Sequence, residues 1–300
     1  MENSEELKHR AGFVNIIGRP NVGKSTLLNA LIGERLSAIT SKAQTTRHRI
    51  LGMLNGDDYQ IVFSDTPGHI AHPINPLHKA MNVFVEGALE DADILLFVTD
   101  KYEAYADDDE FVIKMQKSEG QKISRLNKVD MYRPDEAIDL VNYWKEKFGM
   151  ENVILVSAKE KVGIGLLIEK IISLLPVCPP YYDKEALTDK PEKFFVSEII
   201  REKIFLNYDK EIPYSTEVVI EEFKEGDKIV RIRAVIYVER ESQKPIIIGK
   251  NGEKLKKVGT EARLAMEEFL QQKVFLETQV KVKENWRSDE SALKGWGYKG

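Results

Sequence analysis

The chain holds 300 residues, of which 42% are hydrophobic and 31% charged, and its formal net charge is −5. This length favours two domains, since domains typically hold about 100–200 residues, and the acidic balance argues against a uniformly basic nucleic-acid coat. The apolar runs are shorter than the roughly 18 residues of a membrane span, and the single cysteine, Cys178, excludes an internal disulfide and indicates a reducing, cytoplasmic setting.

The first part of the chain alternates short apolar runs with longer segments of helical spacing. Four apolar runs predict buried strands: 13–17, 61–63, 94–98 and 153–156. Four periodic segments predict helices: 24–32, 107–117, 134–148 and 164–175. This alternation predicts an α/β domain with a mostly parallel sheet and helices on both faces, and ligands of such a sheet bind at the carboxyl ends of its strands.

A glycine-rich segment connects the first predicted strand to the first predicted helix, and it fits the pattern G-x-x-x-x-G-K-[ST]. Backbone N–H groups of such a loop and the helix amino terminus bind phosphate oxygens, the lysine contacts the outer phosphates, and the serine hydroxyl ligates Mg²⁺. We therefore predict phosphate binding by nine consecutive residues: Gly18, Arg19, Pro20, Asn21, Val22, Gly23, Lys24, Ser25 and Thr26.

Two adjacent threonines, Thr45 and Thr46, lie in the polar loop of residues 37–49. One of them is expected to reach Mg²⁺ and the terminal phosphate only while that phosphate is present, and we assign this contact to Thr46. Hydrolysis then releases the loop, so that a few hydrogen bonds produce a switch. The alternative is that both are surface threonines in a basic loop.

A second phosphate-associated pattern, D-x-x-G, follows the strand predicted at 61–63. Its carboxylate can hold a Mg²⁺-bound water and its glycine can approach the terminal phosphate. The pattern consists of Asp65, Thr66, Pro67 and Gly68. His69 follows in the polar loop 69–78 and is either a water-orienting catalyst or an exposed histidine without a function. The predicted Mg²⁺ ligands are Ser25, Thr46 and Asp65.

The pattern N-K-x-D at Asn127, Lys128 and Asp130 indicates which base is bound. The Asp130 carboxylate can accept from both N1–H and the exocyclic amine of guanine, donors that adenine lacks. Asn127 is expected to brace the base and the phosphate loop, and the stem of Lys128 to pack on the purine. One of three further residues is expected to donate a backbone N–H to guanine O6: Ser157, Ala158 and Lys159. These motifs predict GTP and GDP as ligands.

The strand predicted before Asn127 is the least regular part of this pattern. Ser124 and Arg125 lie where a continuous apolar run is expected, and an unpartnered buried arginine is costly. Either this strand lies at an exposed edge of the sheet, or the guanine pocket is less firmly held.

A proline-rich stretch ends the alternating pattern, because it cannot continue a helix or a central strand. We predict a first domain at 11–178, a linker at 179–193 and a second domain at 194–287. The second domain has an α+β order with two predicted helices, 195–206 and 253–270. Its predicted strands are 216–223, 228–238 and 274–282. Residues 1–10 and 288–300 are expected to be frayed polar ends.

Residues 18–25, 42–49, 65–68 and 127–130 resemble the Era family of bacterial ribosome-assembly GTPases. The segment 245–256, PIIIGKNGEKLK, is similar to the KH loop of that family, so that the resemblance covers about residues 10–287. It implies a Ras-like P-loop GTPase domain followed by a smaller α+β type II KH domain.

The glycines of a G-x-x-G turn let the backbone lie against a nucleic-acid strand. From residue 244 to 287 ten Lys and Arg residues outnumber six Glu, which suits a phosphate backbone, although a solvated helix face could show the same count. The predicted RNA-binding residues are Ile248, Gly249, Lys250, Asn251, Gly252, Lys254 and Lys257. The resemblance implies that the RNA is the 3′ end of 16S ribosomal RNA on the maturing 30S subunit.

The resemblance implies further properties. Asn21 is associated in this family with a bound K⁺ ion, and the position of His69 is usually apolar there. Era-like proteins are reported to touch the membrane. The resemblance therefore also implies peripheral contact of such a chain with the cytoplasmic face of the inner membrane. The sequence does not predict the oligomeric state. We interpret the chain as a slow GTP hydrolase in which water attacks. Two alternatives are an RNA-binding factor with negligible turnover and another assembly or transfer-RNA-modification GTPase, which would lack the G-x-x-G context.

Overall fold

The computed structural model describes residues 9–100, 109–118, 120–149 and 152–298. The chain divides into two units that are not simple halves of the sequence. The first unit comprises Met1–Ser37, Thr46–His72 and Met81–Asp189. The second unit comprises Ala38–Thr45, Pro73–Ala80 and Lys190–Gly300. The short segment 38–45, just before Thr46, therefore belongs with the carboxyl-terminal part of the chain.

A six-stranded sheet forms the centre of the first unit. Its strands are β1 (Arg10–Ile17), β2 (Ile50–Asn55), β3 (Tyr59–Asp65), β4 (Ile94–Thr99), β5 (Gln121–Leu126) and β6 (Val153–Leu155). They lie in the order β2-β3-β1-β4-β5-β6, and all neighbours are parallel except the pair β2 and β3. The sequence of β4, ILLFVT, is apolar almost throughout because this central strand is buried on both faces.

Helices cover both faces of this sheet. They are α1 (Lys24–Ile32), α2 (Pro76–Glu90), α3 (Glu110–Lys117), α4 (Pro134–Phe148) and α5 (Ile164–Leu174). Val85 of α2, Phe111 of α3 and Trp144 of α4 share one buried cluster with Phe97 of β4. Helix α1 packs instead against β1, β3 and α5. The α/β class predicted from the alternation of apolar runs is confirmed.

Two elements in the first part of the chain were not predicted, β2 and α2. Strand β2 joins the sheet antiparallel at its end, where a strand needs no long apolar run. Helix α2 begins at Pro76, inside the segment expected to be a polar loop. Proline is tolerated at the start of a helix because its missing N–H would have no helical partner there.

The second unit packs helices against a three-stranded sheet. Its elements are α6 (Glu192–Asn207), β7 (Thr216–Lys224), β8 (Ile229–Val238), α7 (Lys244–Ile248), α8 (Glu253–Leu270), β9 (Lys273–Val282) and α9 (Glu290–Gly295). Strand β8 is central, antiparallel to β7 and parallel to β9. The core includes Ile200 of α6 and Met266 of α8, both fully buried against the sheet.

The carboxyl-terminal segment is ordered, so the expectation of a frayed end is wrong for residues 288–298. The Trp286 side chain is buried and its indole N–H donates to the Ser215 carbonyl, 3.0 Å away. The carboxylate of Asp289 caps α9 by accepting from the Ala292 N–H. The Tyr298 hydroxyl donates to Glu217 at 2.7 Å. Aromatic burial outweighs the polar composition of this segment. Residues 1–8 lie outside the described part of the chain.

The proline-rich stretch packs as part of the first unit up to Asp189. The N–H of Ala11 donates to the Pro176 carbonyl, and the N–H of Met53 donates to the Leu187 carbonyl at 2.9 Å. The buried side chain of Gln60 accepts from the backbone N–H of Tyr181 at 2.7 Å. These bonds connect the stretch to β1, β2 and β3. In the described residues, no helix has both the length and the apolar character needed to cross a bilayer.

Candidate functional site

The phosphate loop lies between β1 and α1 at the carboxyl end of the sheet. Gly18 has φ +148°, and a Cβ there would come within 2.3 Å of the Val98 carbonyl oxygen. Gly23 has φ +96°, and a Cβ there would come within 2.2 Å of Asn127 Nδ2. Only glycine fits these two positions. The Lys24 ammonium donates to the carbonyls of Gly18 and Arg19, at 3.0 and 2.8 Å, which holds it inside the loop.

The remaining residues of the loop connect it to its surroundings. The Arg19 guanidinium pairs with Asp109, the residue that caps α3, at 2.6 Å. Pro20 packs so closely on Gly68 that a Cβ at Gly68 would lie 2.6 Å from Pro20 Cγ. Asn21 adopts a left-handed backbone with φ 67°. Val22 is buried, and Thr26 lies in the first turn of α1.

The three predicted Mg²⁺ ligands meet at the end of β3. The Ser25 hydroxyl donates to Asp65 Oδ2 at 2.7 Å and lies 2.9 Å from the Thr46 hydroxyl, which is itself 3.5 Å from the same carboxylate oxygen. The Asp65 carboxyl is fully buried, and burial raises its pKa above the ordinary range, an effect that the Ser25 hydrogen bond and the Lys24 charge oppose.

This oxygen-rich cluster fits a small, hard cation. In the described part of the chain Asp65 Oδ1 is buried and has no hydrogen-bond partner. A buried carboxylate oxygen of this kind can accept from a metal-bound water, and the two hydroxyls supply the oxygen ligands that Mg²⁺ prefers.

The two adjacent threonines have different surroundings. The Thr45 hydroxyl lies 2.5 Å from that of Thr40 and donates to the Lys42 carbonyl at 2.8 Å. Of the two, Thr46 is the one whose hydroxyl lies beside Ser25 and Asp65.

The D-x-x-G segment leads away from the cluster. The buried Thr66 hydroxyl donates to the Ile16 carbonyl at 2.9 Å, and Pro67 and Gly68 are buried after it. The ring of His69 stacks on Phe111 of α3, with centroids 5.0 Å apart and planes 21° from parallel. This stacking gives His69 a packing role.

The side chain of Asn127 joins the phosphate loop to the predicted guanine loop. Its amide group donates to the Val22 carbonyl at 2.7 Å, and its Oδ1 accepts from the Ala158 N–H at 3.2 Å. Beside it, Ser157 is buried and its hydroxyl accepts from the Glu160 N–H, whereas Lys159 is exposed and pairs with Glu160. Residues from three separate loops thus lie together at the carboxyl end of the sheet.

Lys128 has a partner that the sequence did not identify. Its ammonium donates to the Asn21 carbonyl at 3.0 Å and pairs at 2.6 Å with Asp100, a carboxylate that is almost completely buried. The available signal for Asp100 was its position directly after β4, because polar residues at the carboxyl ends of parallel strands face the ligand. Asp130 is exposed and lies in the short turn Val129–Met131, which directly follows Lys128.

Strand β5, before Asn127, lies between β4 and β6. Of the two alternatives for this irregular strand, the exposed edge is therefore excluded. Ser124 is buried, and in the described residues its hydroxyl has no hydrogen-bond partner. The side chain of Arg125 lies outside the described part of the chain.

In the second unit the G-x-x-G turn connects α7 to α8. Gly249 has φ 74° and ψ 175°, and a Cβ there would lie 2.9 Å from the Lys254 Cβ, so glycine is required. Asn251 and Gly252 are also left-handed, with φ 52° and 77°. Ile248 is half-buried, while four polar residues of the predicted RNA site are exposed: Lys250, Asn251, Lys254 and Lys257. The turn thus presents backbone and cationic side chains to solvent.

A mostly parallel sheet with a phosphate loop after β1, a D-x-x-G carboxylate after β3 and N-K-x-D after β5 defines the class of P-loop GTPases. The family described as 50S ribosome-binding GTPase matches residues 13–128, and the family described as KH domain matches residues 211–287. GTPase Era of Syntrophus aciditrophicus is 44% identical over 97% of this chain and 96% of its own length. The chain belongs to the Era family of GTPases, as the sequence motifs predicted, and it hydrolyses GTP.

Two solved structures share the complete fold. An Era variant from Aquifex aeolicus bound to GDP and AlF4⁻ is 36% identical, with a TM-score of 0.92 over 96% of this chain and 99% of that one. Era in complex with MgGDPNP and nucleotides 1506–1542 of 16S ribosomal RNA is also 36% identical, with a TM-score of 0.92 over 97% of this chain and 99% of that one. The predicted KH domain is thereby confirmed as part of the family architecture.

Proposed function

We propose that this GTPase is a switch in the assembly and maturation of the 30S ribosomal subunit, which binds the 3′ region of 16S ribosomal RNA through its second domain. The observation that carries the proposal is the exposed G-x-x-G turn between α7 and α8. The same fold carries nucleotides 1506–1542 of 16S ribosomal RNA in the Era complex that matches 97% of this chain.

The proposed hydrolysis site uses positioning and charge, with water as the nucleophile. Backbone N–H groups of the phosphate loop and the Lys24 ammonium hold the phosphates. Ser25, Thr46 and Asp65 would hold Mg²⁺, which neutralises charge on the phosphate oxygens when bound. Thr46 is the switch residue in this proposal, because it is the one of the three that lies outside regular secondary structure.

Base selection is assigned to the loops at Asn127 and Ser157. The exposed carboxylate of Asp130 is free to accept two hydrogen bonds from guanine, and adenine would leave it without those donors. Asn127 ties this base site to the phosphate loop, and the Ala158 N–H is held beside it. We expect discrimination between GTP and ATP of about 10⁴-fold or more.

The first test measures binding of an oligonucleotide that copies the 3′ end of 16S ribosomal RNA, with GDPNP and Mg²⁺ present. A scrambled oligonucleotide of equal length is the control. The proposal predicts clearly tighter binding of the copied sequence, and weaker binding of both oligonucleotides to Gly249→Asp, which distorts the turn and adds a negative charge where a phosphate would lie. Equal affinity for both oligonucleotides would overturn it.

Two finer proposals concern ions and membranes. K⁺ would be held near Asn21 in the phosphate loop, and replacing K⁺ by Na⁺ should then lower GTP turnover; unchanged turnover rejects K⁺. Peripheral contact with the cytoplasmic face of the inner membrane predicts co-sedimentation with vesicles of anionic phospholipid, and protein that stays in the supernatant at low salt rejects this contact.

A further inference from the structure

Ser37, the first residue of the polar loop 37–49, is held by helix α1 and is only 1% exposed. The side-chain oxygen of Asn29 in α1 accepts from the backbone N–H groups of Leu36 and Ser37, both at 2.9 Å. The Asn29 amide nitrogen donates to the Ser37 carbonyl at 2.8 Å. Asn29 lies one turn after Ser25, so these bonds fix Ser37 on the helix face that carries a predicted Mg²⁺ ligand.

The hydroxyl of Ser37 lies beside the carboxyl of Asp65. Burial raises the pKa of the Asp65 carboxyl, and the Ser37 hydroxyl is one of the neighbouring groups that oppose this rise. The hydroxyls of Ser25 and Thr46 both engage the same carboxylate oxygen, Asp65 Oδ2. Within the described ranges, neither Ser37 Oγ nor Asp65 Oδ1 has a hydrogen-bond partner, although both atoms are buried. Two unpaired polar atoms thus lie close together at the predicted metal site.

Two unpaired atoms of this kind cost stability unless a ligand satisfies them. A buried hydroxyl without a partner is unfavourable, and an alanine would fill the position of Ser37 without that cost. Mg²⁺ usually keeps several of its waters, and each water has two hydrogens to donate. One such water can donate to Asp65 Oδ1 and to Ser37 Oγ at the same time, since a hydroxyl oxygen is also an acceptor. The chemistry of the two atoms therefore fits a hydrated Mg²⁺ ion.

We propose that Ser37 is a positioning residue of the Mg²⁺ site, which accepts a hydrogen bond from a Mg²⁺-bound water that Asp65 also holds. The inference rests on the proposed Mg²⁺ ligands and adds a residue that acts on the ion through water. Because Asn29 ties Ser37 to α1, its position does not depend on the terminal phosphate. The proposed contact of Thr46, in contrast, exists only while that phosphate is present. Ser37 therefore supports Mg²⁺ binding with GDP and with GDPNP alike.

The test measures the Mg²⁺ affinity of the full chain with GDP and with GDPNP, by Mg²⁺ titration of the fluorescence of a bound, labelled nucleotide. The variants are Ser37→Ala and a matched control, Ser124→Ala. Ser124 is likewise a buried serine of the first unit whose hydroxyl makes no hydrogen bond among the residues described. We expect Ser37→Ala to raise the Mg²⁺ dissociation constant about tenfold with either nucleotide. Ser124→Ala should leave this constant unchanged.

Melting of the nucleotide-free protein in EDTA separates a positioning role from a structural role. Both variants remove a buried hydroxyl without a partner, so both should melt no lower than the wild type. A lower melting temperature of Ser37→Ala, an unchanged Mg²⁺ affinity, or a loss of Mg²⁺ affinity confined to GDPNP would overturn the inference. A wild type that binds both nucleotides equally well in Mg²⁺ and in EDTA would instead overturn the proposed Mg²⁺ site itself.

Discussion

At the scale of single residues, the proposed nucleotide site brings together polar groups that hydrogen-bond to one another. Ser25 and Thr46 both lie within hydrogen-bond distance of Asp65, whose carboxylate is fully buried. Asn127 and Lys128 each donate to a carbonyl of the phosphate loop. A buried polar group costs free energy unless it is paired, so these bonds hold the loops of the proposed site together.

Replacing either threonine by valine separates the roles of two adjacent residues. Thr46→Val removes a proposed Mg²⁺ ligand, and we expect GTP turnover to fall by about 10- to 100-fold, with a higher Mg²⁺ requirement. Thr45→Val removes a hydroxyl whose partners are Thr40 and Lys42, and the Mg²⁺ requirement should not change. Mg²⁺ titrations of GTP turnover measure both; equal effects would reject the assignment of Thr46.

The buried carboxylate of Asp100 offers a test of how Lys128 is positioned. Asp100→Asn keeps the shape of the side chain and weakens the charge-assisted pair with Lys128. We expect GTP and GDP affinities to fall together by about tenfold, because Lys128 is expected to pack on the purine, which both nucleotides carry. Calorimetric titration measures this, with Asp57→Asn, an exposed turn residue, as control; a loss confined to GTP would contradict the prediction.

At the scale of elements, helix ends and terminal segments carry contacts that composition does not reveal. The carboxyl end of α6 accepts hydrogen bonds from Lys42, and α9 is capped by Asp289. Tyr298, beyond α9, donates to Glu217 in β7. The three-stranded sheet is therefore supported by residues far away in the sequence.

Truncation tests the contribution of the carboxyl-terminal segment to the second unit. Deletion of residues 288–300 removes α9. It also removes Tyr298, whose hydroxyl donates a hydrogen bond to the buried carboxylate of Glu217. We expect a melting temperature lower by about 4–8 °C for each kcal/mol of stability lost. Deletion of residues 299–300 alone is the control and should leave melting unchanged; identical melting of both truncated proteins would show that the segment adds no stability.

At the scale of the whole molecule, charge is unevenly distributed. The chain carries a net charge of −5, yet residues 244–287 hold ten Lys and Arg residues against six Glu. An acidic protein can therefore present a locally cationic surface to a phosphate backbone, while the rest of its surface repels nucleic acid.

Salt dependence measures how many phosphates this surface contacts. Lys254→Met should reduce the slope of log affinity against log salt by about 1 and weaken binding of the copied and scrambled oligonucleotides by similar factors, because a phosphate contact carries no sequence information. Lys228→Met should leave the slope unchanged. A loss restricted to the copied sequence would indicate that Lys254 reads bases.

The sequence was sufficient to predict the class of fold and to locate the motifs of the proposed site. Phosphate loops, D-x-x-G and N-K-x-D are local patterns, since the residues of each motif are close together in the chain. Buried strands and amphipathic helices also leave local periodicities, so α1, α4 and α8 were predicted with the bounds that the structure has. Strand β2 and helix α2 lack such strong signals and were missed.

Only the tertiary structure decided which distant residues become partners. The pairs Lys128 with Asp100, Tyr298 with Glu217 and Lys42 with the end of α6 join residues 28, 81 and about 165 positions apart. A hydrogen bond or an ion pair depends on distances of a few ångströms, and these distances are set by packing of the whole core. Sequence alone therefore predicted the chemistry of the site, whereas folding determined how its parts are held and connected.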